Sequence, residues 1–568
     1  MKNIQKLLWL LVLCLSASLY AADWTGAISE PKSTKEIDGK TFYVITSAEE
    51  LAWFAAQVNA GKTSINAQLA NDIKFMDDTS KNSSMNWTPI GKDSSAIFEG
   101  TFDGVGKIIY GLHSYQEKFV GMFGVTGVNA VIRNVSLVRA SINGLKYGGG
   151  IVAFNGGTVF GCTSGGLVSI STSKFGTFSN TYSYSGGIAG WNAGTISGCT
   201  NGSSVSSFSE YGEPLSYSGG IAGWNEGTIS GCTNGGSVSA SSEYGQSYKN
   251  NISYSGGIAG WNEGTVSVCT NGGLVSSYAS TPSNIINVAY SGGITSYNAG
   301  SVRDCLNFGL LSRRGISGGL VGSADSSSSM FNSYSATDSA LYGVTKRRYG
   351  TVTNCYFDND ILKSYNQSAG LSMHTSDMQS DRFAWILNTT NGTTENSGVW
   401  SRDSEDYPIF ADSLHKPIYK VVFDDSVETT NRYTNYKGFV VFPENPGPFD
   451  GKKFLGWFAD DSVKVKETTV FSKDQTVYAV YCEPSSCPTE PSDALVANLP
   501  SPTWSVTATG RNFLIHAAPV GKPYALFDLQ GKVLAKGRVE SPEMTLSTPR
   551  AGSYIVRVGN RSVRMNAK

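Results

Sequence analysis

Charge of one sign is the first thing this 568-residue sequence lacks: 44 Lys and Arg stand against 45 Asp and Glu, for a formal net charge of -1. So weak a field gives no electrostatic reason to expect nucleic acid or an anionic bilayer as partner. Histidine is scarce too. The four residues, His113, His374, His415 and His516, fall in different regions with no metal-ligand spacing. No HExxH pair or P-loop phrase occurs, so the familiar scaffolds for zinc and phosphate chemistry are missing and no cofactor or metal is expected. No stretch approaches the roughly 20 apolar residues of a transmembrane helix. The apolar run at 7–15 is too short to span; with Lys2 and Lys6 before it and Ala21 and Ala22 after it, residues 1–22 read as a secretory signal peptide. Cys14 lies inside that run after Leu13, where a lipoprotein signal would want a small residue, which argues against lipid attachment.

What is abundant is glycine, 65 residues, with 28 Tyr, 26 Phe and 11 Trp, and with serine crowded into the middle of the chain. That is the texture of a turn-rich all-β protein. One phrase repeats: SYSGGIAGWNAGTISGCTNGSSVS (183–206), SYSGGIAGWNEGTISGCTNGGSVS (216–239), SYSGGIAGWNEGTVSVCTNGGLVS (253–276) and a worn AYSGGITSYNAGSVRDCLNFGLLS (289–312). An earlier copy begins at Lys146. Its cysteine and the later ones, Cys162, Cys199, Cys232, Cys269 and Cys305, recur every 33 to 37 residues, the period of a solenoid or array. Three short β-type runs fit each unit, as at 187–191, 195–199 and 204–207, divided by Asn-Ala-Gly and Thr-Asn-Gly turns. Three strands and three corners make one coil of a parallel β-helix, in which neighbouring coils bury a core that no single coil could form. The segments 208–215, 240–252 and 278–288 vary in length, are rich in Ser and Tyr, and read as protruding loops.

The phrase GGIAGWNEGTISGCTNGGSVS resembles the GLUG-motif repeats of bacterial surface adhesins and secreted peptidases, specifically over 146–312, with looser copies from residue 98 to 365. Upstream, at 23–97, Ser47 with Glu50 forms a capping box that opens a helix through Leu51, Phe54 and Val58 and caps the solenoid. Residues 366–415 form a flank with a second short helix between Thr375 and Leu387. The segment 416–482, with Phe454, Gly456 and Trp457, resembles the internalin-type B-repeat, which implies a small β-grasp-like module. Cys482 and Cys487 follow closely and suggest a local disulfide, and 483–503 is a proline-punctuated linker. In 504–568 the pattern Phe527-Asp528-Leu529-Gln530-Gly531-Lys532, then Gly552-Ser553-Tyr554-Ile555-Val556, resembles the C-terminal sorting domain of type IX secretion substrates. That resemblance implies a β-sandwich, a partnership with outer-membrane secretion machinery, and a secreted or outer-surface location in a Gram-negative-type bacterium. The fold expected is therefore all-β: a parallel β-helix followed by two small β domains.

Candidate sites are sparse. Glu226 and Glu263 occupy equivalent turn positions and stack as like charges, unlike the separated carboxylates of a glycosidase. Acids with basic neighbours stand at Asp304, Arg313, Arg314, Asp325, Arg347, Arg348, Asp358 and Asp360. The repeating cysteine reads as a buried ladder, with neighbouring disulfides or metal as alternatives. Phe154, Trp191, Trp224, Trp261 and Tyr297 must also stack. Alternation from Ile188 sends Trp191 outward as a sugar-stacking stripe, whereas a bend at Gly190 turns the rings inward to fill a corner of the core, the arrangement favoured here. The loop tyrosines Tyr211, Tyr244, Tyr248 and Tyr278 are the better exposed ligand candidates. These features together suggest an adhesin-like protein that binds extracellular glycan or another surface macromolecule and is not an enzyme; the alternative is a carbohydrate-active β-helix lyase or hydrolase.

Overall fold

The structure is a computed structural model that describes residues 23–568 apart from 77–84, 174–180, 211–213, 244–250, 281–286, 347–349, 363–365, 367, 404–405, 460–462, 488–504, 519, 529–532, 559–560 and 568. The signal-peptide segment, residues 488–503 of the proline linker, Tyr211, Tyr244, Tyr248, Arg347, Arg348 and residues 529–532 of the sorting-domain pattern thus lie outside the described residues. Two compact units divide the chain, 1–395 and 396–568.

The first unit is a parallel β-helix. One coil shows why these residues form it: Thr181–Gly186, Ala189–Asn192, Thr195–Ser197, Thr200–Asn201 and Ser204–Glu210 are successive strands, each paired in parallel with its counterpart one repeat away. The Thr195–Ser197 strands form a 12-stranded sheet, and the Thr200–Asn201 and Ser204–Glu210 strands share a 15-stranded one. The Thr181–Gly186 and Ala189–Asn192 strands belong to two further sheets of seven strands each. Inside, repeated positions become columns. Ile188, Ile221, Ile258 and Ile294 are fully buried, as are Ile196, Ile229, Val266 and Val302. Each such side chain contributes roughly 1.5–3 kcal/mol on leaving water. Cys162, Cys199, Cys232, Cys269 and Cys305 form a buried column of free thiols that continues to Cys355. Burial pushes the thiols of Cys162 and Cys269 well up and that of Cys355 to about 12, while Cys232 is raised first by its neighbours Cys199 and Cys269 and then by burial; Cys199, between Cys162 and Cys232, is lowered by those same neighbours.

The turn asparagines do something other than expected. Asn155, Asn192, Asn225, Asn262 and Asn298 are fully buried and pass one amide hydrogen bond from coil to coil, each Nδ2 donating to the next Oδ1 at 2.7–2.8 Å. Asn201, Asn234, Asn271 and Asn307 repeat the device at 2.8 Å. For these ladder asparagines the positive-φ corner lies elsewhere, at the residue before the core cysteine: Gly161, Gly198 and Gly231, then Val268 and Asp304, and Asn354 before Cys355. Glycine serves there because an L side chain is strained at positive φ.

A larger correction concerns the segments expected to protrude as loops. Ser204–Glu210 and Pro214–Gly219 are strands, as are Val238–Glu243 with Asn251–Gly256 and Val275–Ser280 with Asn287–Gly292. They form a two-layered fin whose interior is serine. Ser183 and Ser209 hydroxyls meet at 2.7 Å, Ser207 and Ser218 at 2.6 Å, and Ser277 and Ser291 at 2.7 Å. The Ser216 and Ser218 hydroxyls donate across the layers to the Ser241 and Ser239 carbonyls at 2.5 Å. Each coil therefore has more than three strands.

At the N-terminal end, helix Ala48–Asn59 is capped by Ser47, whose side chain accepts from the Glu50 N–H. The Glu50 carboxylate accepts in turn from the Thr46 N–H and hydroxyl at 2.6 and 2.8 Å. Phe54 meets Phe98 and Phe102 at 6.1 and 6.0 Å, so the helix closes that end of the core. The solenoid starts earlier than residue 98, because Lys40–Ile45 and Asn66–Leu69 already pair in parallel within its 12-stranded sheet. The second expected helix is two, Thr375–Met378 and Asp381–Asn388, with Phe383 packed on Tyr334 and Tyr356. The first unit reaches residue 395, which divides the expected 366–415 flank.

In the second unit, Thr429–Tyr433, Lys420–Asp424, Gln475–Cys482 and Lys453–Phe458 form one mixed four-stranded sheet over Phe423, Trp457 and Phe471. Cys482 and Cys487 are disulfide-bonded, with Cα atoms 5.3 Å apart. The chain ends in two antiparallel sheets of three and four strands around Phe513, Leu526, Tyr554 and Val556. The chain is thus all-β, a β-helix followed by small β modules, as its sequence implies.

Candidate binding groove

Outside the main core a second apolar cluster runs along the solenoid, built from two adjoining sheets. In the phrase Ser183-Tyr184-Ser185, alternation turns the serines into the fin and the tyrosine to the opposite face. Stacked coils convert that tyrosine into a ladder: Phe119, Tyr147, Tyr184, Tyr217, Tyr254 and Tyr290, with ring centroids 5.0–5.4 Å apart and planes within 13°. Across the Gly-Gly corner stands the other ladder, Phe154, Trp191, Trp224, Trp261 and Tyr297, with centroids 4.0–6.2 Å apart. The two meet edge to face, Tyr184 to Trp191 at 5.3 Å, Tyr217 to Trp224 and Tyr254 to Trp261 at 5.2 Å. Each such pair is worth about 0.5–1.5 kcal/mol beyond its buried area.

The glycines permit this approach. A Cβ on Gly219 would lie 1.8 Å from the Ala222 carbonyl oxygen, and one on Gly223 within 2.8 Å of the Ser185 nitrogen. The inward packing favoured for Trp191, Trp224 and Trp261 is therefore corrected: they lie outside the main core, half-buried, as strict alternation from Ile188 requires. Within the ladder, each indole also shares its faces with the rings above and below, so the side it offers outward carries edge and N–H.

Polar groups border the ring cluster. The Trp191 indole donates to Glu226 at 3.3 Å and the Trp261 indole to Glu263 at 3.0 Å, while the Tyr297 hydroxyl donates to Asp325 at 3.2 Å. The two glutamates thus rim the tryptophan ladder. The buried Trp224 N–H has no partner among the described residues. The hydroxyls of Tyr184, Tyr217 and Tyr254 likewise bond to no described protein group, although their rings are 5–7% exposed. Burial pushes all three hydroxyls up, keeping them protonated donors. Lys118 and Lys146 lie over Phe119 and Tyr147 at 4.9 and 5.2 Å, at the start of the tyrosine ladder. The same phrase carries both ladders, but the tyrosine stands between serines, as in Ser183-Tyr184-Ser185, where no hydrophobic alternation marks its face.

The other candidates stay apart. Tyr278 sits on the outer face of the fin, 41% exposed. Asp358 accepts from the Asp360 and Ile361 N–H groups and the Thr375 hydroxyl, and Asp360 from the Thr375 N–H, with His374 at 2.9 Å. These carboxylates hold a local turn together. Asp304 is buried beside Arg303 at 3.5 Å, and Arg313 bonds to the Asp338 and Ser339 carbonyls. His113 is partly buried and His415 and His516 pair with Asp412 and Glu543 at 2.9 Å. Among the described residues no group of three or more His, Cys, Asp or Glu could hold a metal ion, and no helix is long and apolar enough to cross a membrane.

No protein family and no curated protein matches this chain. Among solved structures, it is similar to a crystal structure from Bacteroides ovatus described provisionally as an immunoglobulin A1 protease. The identity is 19%, the TM-score 0.35, and the match covers 66% of this chain and 93% of that one. The expectation that the chain is not an enzyme is corrected by that match: beside a protein described as a protease, a lack of familiar motifs does not establish a lack of activity.

Proposed function

We propose that the chain is an extracellular recognition protein that holds a glycan along the Tyr/Trp groove. The observation that carries this reading is the row of Tyr184, Tyr217 and Tyr254 hydroxyls without a partner among the described residues, on a ladder that meets edge to face the tryptophan ladder bordered by Glu226 and Glu263. Sugars present the complementary mixture, C–H faces with hydroxyls that both donate and accept. Export through the apparent signal peptide, and delivery by outer-membrane secretion machinery reading the C-terminal sandwich, place the groove outside the cell in this reading. The GLUG, B-repeat and sorting-domain resemblances support it as resemblances only.

The test is affinity retention of residues 23–568 on a panel of plant and bacterial polysaccharides, with release of new reducing ends scored in parallel. The variant carrying Tyr184→Phe, Tyr217→Phe and Tyr254→Phe removes only hydroxyls that bond to no described protein group. We expect its thermal unfolding to match the native chain and its retention to fall about tenfold, which corresponds to roughly 1.4 kcal/mol. Retention unchanged by the triple substitution, or no retention on any glycan, rules the groove out. New reducing ends would replace holding by cleavage.

A further inference from the structure

The fin is shorter than the solenoid that carries it, and its last strand is left open. Val275–Ser280 terminates the path of its sheet, whereas the coil beneath continues through Leu306–Asn307 and Tyr334–Ser335. The next coil lacks the fin: after Leu311, residues 312–315 cross directly to the Ile316–Gly318 strand. The phase of the ladder shows which groups are stranded. Val275 spends both backbone groups on that coil, its N–H donating to Leu310 and its carbonyl accepting from Ser312, at 2.8 and 2.9 Å. Ser277 and Ala279 stand two and four residues on and point their N–H and C=O the same way, but no described strand pairs with them there.

Natural edge strands are blunted by lysine, proline, bulges or a covering segment. VSSYAS has no charge, no proline and no register shift against its neighbour. What lies at its base is cationic: Arg313 and Arg314 are both exposed on the 312–315 crossing, where Gly315 passes the Ala289 carbonyl.

We propose that this edge accepts an extended acidic polypeptide segment as an added parallel strand. Backbone groups of the incoming strand pair with Ser277 and Ala279, as in β-augmentation. Because the acceptor runs from base to tip, a parallel guest places its N-terminal end at the base, so acidic residues there face Arg313 and Arg314. The inference rests on the sheet edge and is independent of the groove.

The probe is a blocked synthetic peptide, DDVSASSE, which copies the preceding fin strand Val238–Glu243 behind two aspartates; KKVSASSE and a DDVSASSE N-methylated at alternate residues are its controls. Binding to residues 23–568 is read by fluorescence anisotropy. We expect DDVSASSE to bind at least tenfold tighter than KKVSASSE, N-methylation to abolish binding, and Arg314→Glu, a surface change, to reverse the charge preference while leaving thermal unfolding unchanged. Binding that survives N-methylation, indifference to Arg314→Glu, or no binding overturns the proposal. So does concentration-dependent self-association of the chain that the peptide fails to displace, which would make a second copy the occupant.

Discussion

Val268 holds, at φ 54°, the corner that glycine occupies at 161, 198 and 231. A β-branched residue in that region is strained by about 1–2 kcal/mol, so Val268→Gly should raise stability by roughly 1 kcal/mol after the extra chain entropy of glycine is deducted; chemical denaturation measures it. Asn225 behaves oppositely. Asn225→Ala strips an acceptor from the Asn192 amide and a donor from the Asn262 oxygen, both in full burial, and should cost about 2–3 kcal/mol. Two histidines of this unit should move apart in an NMR titration. The carboxylate of Asp360 raises His374, whose contribution to stability is present below its ordinary value and lost as pH rises through the raised one. Desolvation lowers His113, so its site loses stability as pH falls through the ordinary histidine range. The sequence displays the conserved spacing of Asn and Gly within the phrase, yet spacing alone did not reveal which residue turns the corner. Positive φ belongs to the Gly198 position, and the asparagines of the two buried ladders are there for their amides.

At the level of elements, strands were legible wherever aliphatic residues alternate with polar ones, as in Thr195–Ser197 with Ile196 inward. The fin was not, because its interior is hydroxyl in place of hydrocarbon: Ser207, Ser209, Ser216 and Ser218 are buried, and no hydrophobic period marks them. Their small size lets the layers approach closely enough for a side chain on one to reach a carbonyl on the other. The Gly-Gly corner between the aromatic ladders is equally exacting. Gly219→Ala would press its Cβ to 1.8 Å from the Ala222 carbonyl, and should destabilise the first unit by about 3 kcal/mol while broadening the near-ultraviolet circular dichroism of the Tyr217 and Trp224 rungs. An Ala at Gly510, where a Cβ meets nothing within 4 Å, tests φ alone, because that glycine stands at 59°.

As a whole, the chain should melt in two steps, because units 1–395 and 396–568 have separate cores. Reducing Cys482–Cys487 should lower the second step, by about 2 kcal/mol for so short a loop, and leave the first in place; calorimetry with and without reductant checks both halves. The period announced the solenoid, but where each unit ends was not readable from composition, since sheet and flank share the same Ser, Thr and Asn texture. The coil-to-coil register has a consequence for the length of the array. Gly219 pairs with Gly256, and the residues that follow each are the same Gly-Ile-Ala-Gly-Trp-Asn-Glu-Gly-Thr. Excising residues 220–256 therefore rejoins the chain without altering a single local contact phrase, and the shortened protein should fold. A loss or gain at this register changes the array by one whole coil while both ends keep their structure.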